Sequence, residues 1–191
     1  MTTSTSTSIP GELLGLPQQR AALVALVGPP GSGKSTFATA LAERTGQRVS
    51  VLCLDRYRAL LSAWGDEADQ YVTPWAVADL HTDLDEHLGQ RRLVIVDATN
   101  AEALNRQQLL DIAVRHGAVT AAAVLLPDLA GCQARNALRD PTVGACGWAR
   151  QVPAVVVAAM HEAITGDLPY LADEGWKTVV RVDHLRDAGA R

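Results

Sequence analysis

Lysine is nearly absent. The chain holds two, Lys34 and Lys177, beside fifteen arginines, and Lys+Arg total 17 against 21 Asp+Glu for a formal charge of −4. That balance excludes a generally basic coat for non-specific nucleic-acid binding, but not a basic pocket inside an acidic shell. Cysteine is also sparse: Cys53, Cys132 and Cys146 are an odd number at wide spacing, with no CxxC pair. This excludes a zinc ribbon or a disulfide scaffold and fits reduced thiols in the cytoplasm. No apolar run approaches the roughly 18 residues of a membrane span, so no membrane partner is expected. Met1 to Pro10 is Ser/Thr-rich and uncharged, unlike a secretory signal. The five histidines show no HxxxH or HxH spacing, and none is assigned to a metal. Aromatics are 4% of the chain, and the four tryptophans are scattered as core residues would be, not as a stripe that stacks bases.

The 191 residues are 48% hydrophobic, which excludes disorder and fits one domain. Residues 1–20 are expected to form a flexible N-terminal tail and residues 21–191 a single domain. Short apolar runs at 21–27 and 92–97, with further strands expected at 48–54, 118–126 and 177–183, alternate with helical segments. The helices are expected over 35–45, 75–89, 102–116, 128–138 and 153–164. Strands alternating with helices imply an α/β fold: a doubly wound, five-stranded, mostly parallel sheet with helices on both faces. Ligands then belong at the carboxyl ends of the strands.

The first strand runs into Gly28-Pro29-Pro30-Gly31-Ser32-Gly33-Lys34-Ser35, followed by Thr36, which fits G-x-x-x-x-G-K-[ST] in its strand–loop–helix context. Glycines let successive backbone N–H groups turn inward as an anion nest, and the helix start adds its positive dipole end. Lys34 supplies charge to the β- and γ-phosphates, and the Ser35 hydroxyl is a ligand for Mg²⁺. The expected ligands are ATP or GTP with Mg²⁺.

Three further sites follow the strand ends. Asp55 and Arg58 close the second strand. Asp55 suits the general-base task on an attacking hydroxyl, and Arg58 suits an anionic group of the acceptor, although the same spacing also suits a helix cap and a surface charge. Asp97 ends the third strand, where an acid holds Mg²⁺, often through water. Thr99 and Asn100 offer a hydroxyl and an amide to the same cleft, or serve a turn. Arg135 and Arg139 are four residues apart on one helix face, before the breaker-rich stretch Asp140 to Gly144. A lid carrying them would neutralise charge in the transition state; a solvated helix end explains them equally well.

The ordered series resembles the polynucleotide 5′-kinase family of P-loop phosphotransferases, most closely the kinase domain of bacterial polynucleotide kinase-phosphatases. The resemblance rests on GPPGSGKST at 28–36, Asp55 with Arg58, the Asp69-Gln70…Thr73 stretch, VIVDATN at 94–100, and Arg135 with Arg139. It implies a P-loop NTPase fold with an arginine-bearing lid, and transfer of the ATP γ-phosphoryl group to an acceptor hydroxyl, first of all a polynucleotide 5′-OH. It implies Lys34, Asp55 and Arg139 as catalytic residues, Gly28–Thr36 and Arg135 as the nucleotide site, and Arg58, Thr99 and Asn100 on the acceptor side. The sequence departs from the family in two respects. The chain ends without a phosphatase or ligase segment, so any end-healing role is expected to be kinase-only. Residues 59–90 carry seven acids and no Lys or Arg; facing the acceptor cleft they would repel a long nucleic acid and leave a short strand end or a small molecule, and pointing away they are a solvated helix face. A nucleoside, antibiotic or metabolite kinase is the alternative; a nucleotide-hydrolysing regulatory ATPase is the alternative of another class.

Overall fold

The computed structural model describes residues 8–16, 20–46, 48–66, 68–139 and 151–182. Helix α1 (Gly11–Leu14) precedes β1 (Ala22–Val27), α2 (Lys34–Thr45), β2 (Val49–Cys53), α3 (Leu54–Leu61), α4 (Thr73–Gly89) and β3 (Leu93–Asp97). The chain continues through α5 (Ala103–Arg115), β4 (Val119–Val124), α6 (Leu129–Ala137), α7 (Ala154–Asp167), a 3-10 turn at Leu171–Glu174, and β5 (Thr178–Arg181). The five expected strands form one sheet in the order β2-β3-β1-β4-β5, and every pairing is parallel.

The apolar run in β1 explains its central place. Side chains alternate between the faces of a strand, so a strand covered on both sides must be apolar at every position. Leu23, Ala25 and Val27 pack with Leu84 and Leu88 of α4 and Leu109 and Ala113 of α5. Val24 and Leu26 face the other way, against Phe37 and Leu41 of α2. After β1 the chain fills one side of the sheet with β2 and β3, then crosses to the other with β4 and β5. The order therefore reverses at β1, and the crevice at the carboxyl ends of β1, β2 and β3 is where a doubly wound sheet takes its ligand.

The element ends shift by up to three residues from the sequence expectation. A larger difference lies at the N-terminus. Within the expected tail, Ile9 and Leu13 are buried and join the α2 side of the core. A four-residue helix is too short to show a periodicity, so the sequence carries little sign of it. A second difference is α3, which starts directly at Leu54 where the second strand was expected to continue. Expected features at residues 1–7, at Asp140 to Gly144, and at Cys146, Trp148, Arg150 and His184 lie outside the described residues.

Leu13 is fully buried. Leu13→Ala is expected to lower unfolding stability by about 2–5 kcal/mol, the range for truncating a buried leucine. Urea denaturation checks this, and a loss below about 0.5 kcal/mol would match a surface position instead.

Candidate active site

The loop between β1 and α2 is shaped by two glycines with left-handed backbone, Gly31 at φ 79° and Gly33 at φ 94°. Its back is pressed against other elements. A Cβ at Gly31 would strike the carbonyl of Cys132, and one at Gly28 would meet the Leu125 carbonyl and lie 2.6 Å from Ser32 Oγ. The Gly28 N–H donates to Thr99 O at 3.1 Å, and Arg135 Nε donates to Gly31 O at 2.7 Å. On the inner side, Lys34 Nζ donates to Gly28 O and Pro29 O at 2.9 and 3.0 Å, folding the side chain back over its own loop. Ser32 Oγ is buried and has no hydrogen-bond partner. The first turn of α2 has no side-chain cap and no acid. Unpaired N-terminal amides, an orphaned hydroxyl and a cation within one cradle fit a polyphosphate. Burial pushes Lys34 below the usual lysine range; Asp97 opposes this and Arg139 adds to it.

The next two strands deliver acids to the same cradle. Cys53 and Asp97 are register partners on β2 and β3. Asp97 is buried, and desolvation raises its carboxyl above the usual range although Lys34 and the Ser35 hydroxyl pull it down. Together, Ser35 and Asp97 suit a magnesium ion whose remaining ligands are phosphate oxygens and water. The Cys53 thiol beside them is pushed up to about 12, chiefly by burial.

Because α3 begins as soon as β2 ends, Asp55 stands in its first turn and Arg58 one turn later on the same face. Arg58 forms an ion pair with Asp55, and its Nε donates to Thr73 Oγ1 at 2.9 Å. Tyr57 OH donates to Asp83 Oδ2 at 2.5 Å, fixing α3 against α4. Burial and the Asp83 carboxylate hold that phenol above its usual range.

Thr99 and Asn100 follow β3. Thr99 lines the cleft and is half-buried. Asn100 is buried with left-handed backbone, φ 46°, and its Nδ2 donates to Leu26 O at 2.7 Å. Its amide nitrogen is therefore engaged by the end of β1, where the sequence expectation had it offered to an acceptor. Behind it stands Arg106, which sequence reasoning missed. This arginine is fully buried and donates to the Asn100 and Ala101 carbonyls at 2.9 and 2.8 Å. It also pairs with Asp167 at 2.7 Å and Glu174 at 2.5 Å. One signal existed: Arg106 shares the apolar face of its helix with Leu109, Leu110 and Ala113, where a charge must be paired.

At the far side, α6 carries Arg135 in its last turn but ends at Ala137, so Arg139 lies just past the helix and not on one helix face with Arg135 as the spacing had suggested. Arg135 reaches the loop carbonyl described above. Arg139 lies at the cleft, close enough to Lys34 to lower that lysine's basicity. Buried Asn136, also missed, clasps Val152 through Nδ2 to O at 2.7 Å and N to Oδ1 at 3.2 Å. Gln151 adds bonds to the carbonyls of Ala137 and Arg139 at 3.2 and 2.6 Å. Lys34, Ser35, Asp55, Arg58, Asp97 and Arg139 all line one cleft of about 290 Å³.

A family model described as an AAA domain matches residues 23–166. The chain belongs to this family of P-loop kinase-like domains. A chain of the Pnkp1/Rnl/Hen1 RNA repair complex superposes with TM-score 0.67 at 21% identity, covering 81% of this chain and 47% of that one. The present chain thus spans about half the length of that neighbour. A gluconokinase from Sinorhizobium meliloti 1021 superposes with TM-score 0.53 at 16% identity, covering 88% and 87%. A chain of the PezAT chromosomal toxin-antitoxin system of Streptococcus pneumoniae does so with TM-score 0.54 at 12% identity, covering 65% and 57%. These neighbours share the fold. No curated protein matches the sequence. No helix among the described residues is long and apolar enough to cross a membrane. Family and fold together mark a P-loop kinase-like fold.

Arg106→Ala is expected to cost about 3–5 kcal/mol in urea denaturation, because it strands Glu174 and two buried carbonyls without their partner. A loss under about 1 kcal/mol would mean that water satisfies those groups.

Proposed function

We propose that the chain is an ATP-dependent kinase that transfers the γ-phosphoryl group of ATP, or of GTP, to an acceptor hydroxyl, and that a 5′-OH polynucleotide end is its first candidate acceptor. The observation that carries this reading is Asp55. It lies in one cleft with Lys34, Ser35, Asp97 and Arg139, and a nucleotide-hydrolysing switch has no need of a carboxylate and arginine pair on the acceptor side. The Asp-x-x-Arg pair and the likeness to a chain of an RNA repair complex favour the polynucleotide end.

In this mechanism the Lys34 side chain and the amides of Gly31, Gly33, Lys34 and Ser35 hold the donor phosphates, with Ser32 Oγ gaining the partner it lacks. Ser35, and Asp97 through water, hold Mg²⁺, which when bound neutralises charge on the β- and γ-phosphate oxygens. Asp55 accepts the proton of the acceptor hydroxyl as the O–Pγ bond forms, while the bond from Pγ to the bridging oxygen breaks and ADP leaves. Arg139 neutralises charge on the transferred group, and Arg135 keeps the loop in shape through Gly31. Arg58 turns its guanidinium to an acceptor phosphate. Thr99 supports the acceptor, and Asn100 sets the loop that presents it. With a loose transition state, positioning and charge neutralisation supply most of the rate.

A small hydroxyl acceptor is the second reading. It is favoured by the seven acids and absent basic residues over 59–90.

Lys34→Ala is expected to abolish transfer from labelled ATP to 5′-OH DNA or RNA, nucleosides or simple alcohols. Asp55→Asn should lower kcat by about 10²–10⁴-fold, the usual share of a general base, while ATP affinity moves far less. Equal losses of turnover and ATP binding would remove Asp55 from that role, and label found only as inorganic phosphate would sink the kinase reading. Arg139→Ala should slow transfer by about 10³-fold or more in single-turnover measurements. A change under about tenfold would place Arg139 outside the lid role.

A further inference from the structure

The cleft does not stop at Asp55. It continues between α4 and α5, and His81 and Gln108 border both the catalytic cleft and the open groove that extends from it along the two helices. The cleft walls include apolar side chains, Val77 of α4, Leu109 of α5 and Met160 of α7. One edge is different. Asn105 and Gln108, three residues apart on α5, present two amides to the cleft, and among the described residues these side chains make no hydrogen bond. His81 faces them, and burial pushes its ring below the usual histidine range, so it stands neutral at neutral pH.

The charges along this path do not suit a polyanion. Besides Lys34, Asp55, Arg58, Asp97 and Arg139, the charged groups lining the cleft among the described residues come to one more, Glu102. The outward groove carries Asp85 and Asp111 with Arg115, and Asp85 already engages Arg115 at 2.7 Å and His116 at 3.0 Å. Among the described residues, a phosphodiester chain held in that groove would meet Arg115 already paired with Asp85, yet contacts to free cations supply most of the affinity for a strand. Apolar walls with an amide edge instead suit a flat neutral ring, whose faces bury against Val77, Leu109 and Met160 while its polar edge meets Asn105 and Gln108.

We propose that the part of the cleft lined by Val77, Asn105, Gln108, Leu109 and Met160 binds a neutral ring carrying hydrogen-bonding groups, attached to the reacting hydroxyl, and that recognition of the acceptor ends before the outer groove along α4 and α5. The proposal rests on the kinase reading above. The ring has two sources: the base of a terminal nucleotide whose strand continues outside the groove, or a ring of a small free molecule.

The test is phosphoryl transfer from labelled ATP by the full chain to five acceptors. These are a free nucleoside with a simple aromatic alcohol, a nucleoside 3′-monophosphate, a 5′-OH dinucleotide, and a 5′-OH oligonucleotide of about twelve residues. The acceptor KM is expected to change by less than about threefold from the dinucleotide to the oligonucleotide. In the double variant Asn105→Ala, Gln108→Ala it should rise about tenfold or more, as for the loss of two hydrogen bonds, with the KM for ATP moving far less. Both side chains are exposed, so the fold does not depend on them. Transfer to the 3′-monophosphate but not the free nucleoside assigns the ring to a strand end; transfer to the free nucleoside or the aromatic alcohol assigns it to a small molecule. Active transfer with an unmoved acceptor KM in the variant overturns the ring site alone. So does a KM that falls about tenfold or more with strand length, since added phosphates would then be gripped. Hydrolysis of ATP with no acceptor labelled overturns the kinase reading itself, and the ring site with it.

Discussion

Everything at this site depends on keeping one short loop open against its own backbone. The amides of Gly31, Gly33, Lys34 and Ser35 must point inward, a conformation that isolated glycine-rich chain would abandon for others of similar energy. The surrounding fold removes those alternatives from outside. The Gly28 N–H is tied to Thr99 beyond β3, Gly31 O to Arg135 on α6, and the space behind both glycines is taken by the Leu125 and Cys132 carbonyls. Residues from three separate parts of the chain thus meet on one turn. The cradle is a property of the folded sheet, not of the motif alone.

The same dependence runs outward in a second layer. Thr99 can hold Gly28 only if the loop after β3 is itself fixed, and that loop is fixed by Asn100 on Leu26 O and by Arg106 on the next two carbonyls. Arg106 in turn is held by Glu174 and Asp167, from the C-terminal third of the chain. On the other flank, Asn136 and Gln151 bind the end of α6 to the segment just before α7, so the position of Arg139 is set by a clasp more than ten residues away in sequence. Buried ion pairs add little net stability but penalise strongly the loss of a partner. That asymmetry suits a scaffold that must hold one geometry.

The sequence makes the fold class, the five strands and the phosphate loop legible because each is a local pattern: a continuous apolar run, a breaker, a fixed spacing. Asp97 is legible for the same reason, being the first acid after an apolar strand. The residues that escape are those whose meaning lies in a distant partner. Arg106 reads as a helix arginine until Glu174 is known to sit beside it. Asn136 reads as part of an arginine helix until Val152 is opposite it. Asn100 reads as a polar group at a strand end, equally able to face a ligand or a backbone, and only the proximity of Leu26 decides. Residues 9–14 escape by brevity, since one helical turn gives no period to detect.

The charge pattern takes on a different meaning once these positions are known. A net charge of −4 over a chain with two lysines describes the outer shell, whereas the cleft gathers Lys34, Arg58 and Arg139 around Asp55 and Asp97. Three cations against two acids leave the centre attractive to a triphosphate, and the sign reverses within one helix length along α4 and α5. A long-range field that repels polyanions combined with a short-range site that binds one selects by size: a small anion can be paid for by direct contact in a low-dielectric cradle, where charge pairs are strong, while each further phosphate of an approaching strand meets screened acids and no partner. In the proposed reaction this distribution of charge would act as a specificity device, on whatever follows the first residue of an acceptor more than on the reacting hydroxyl.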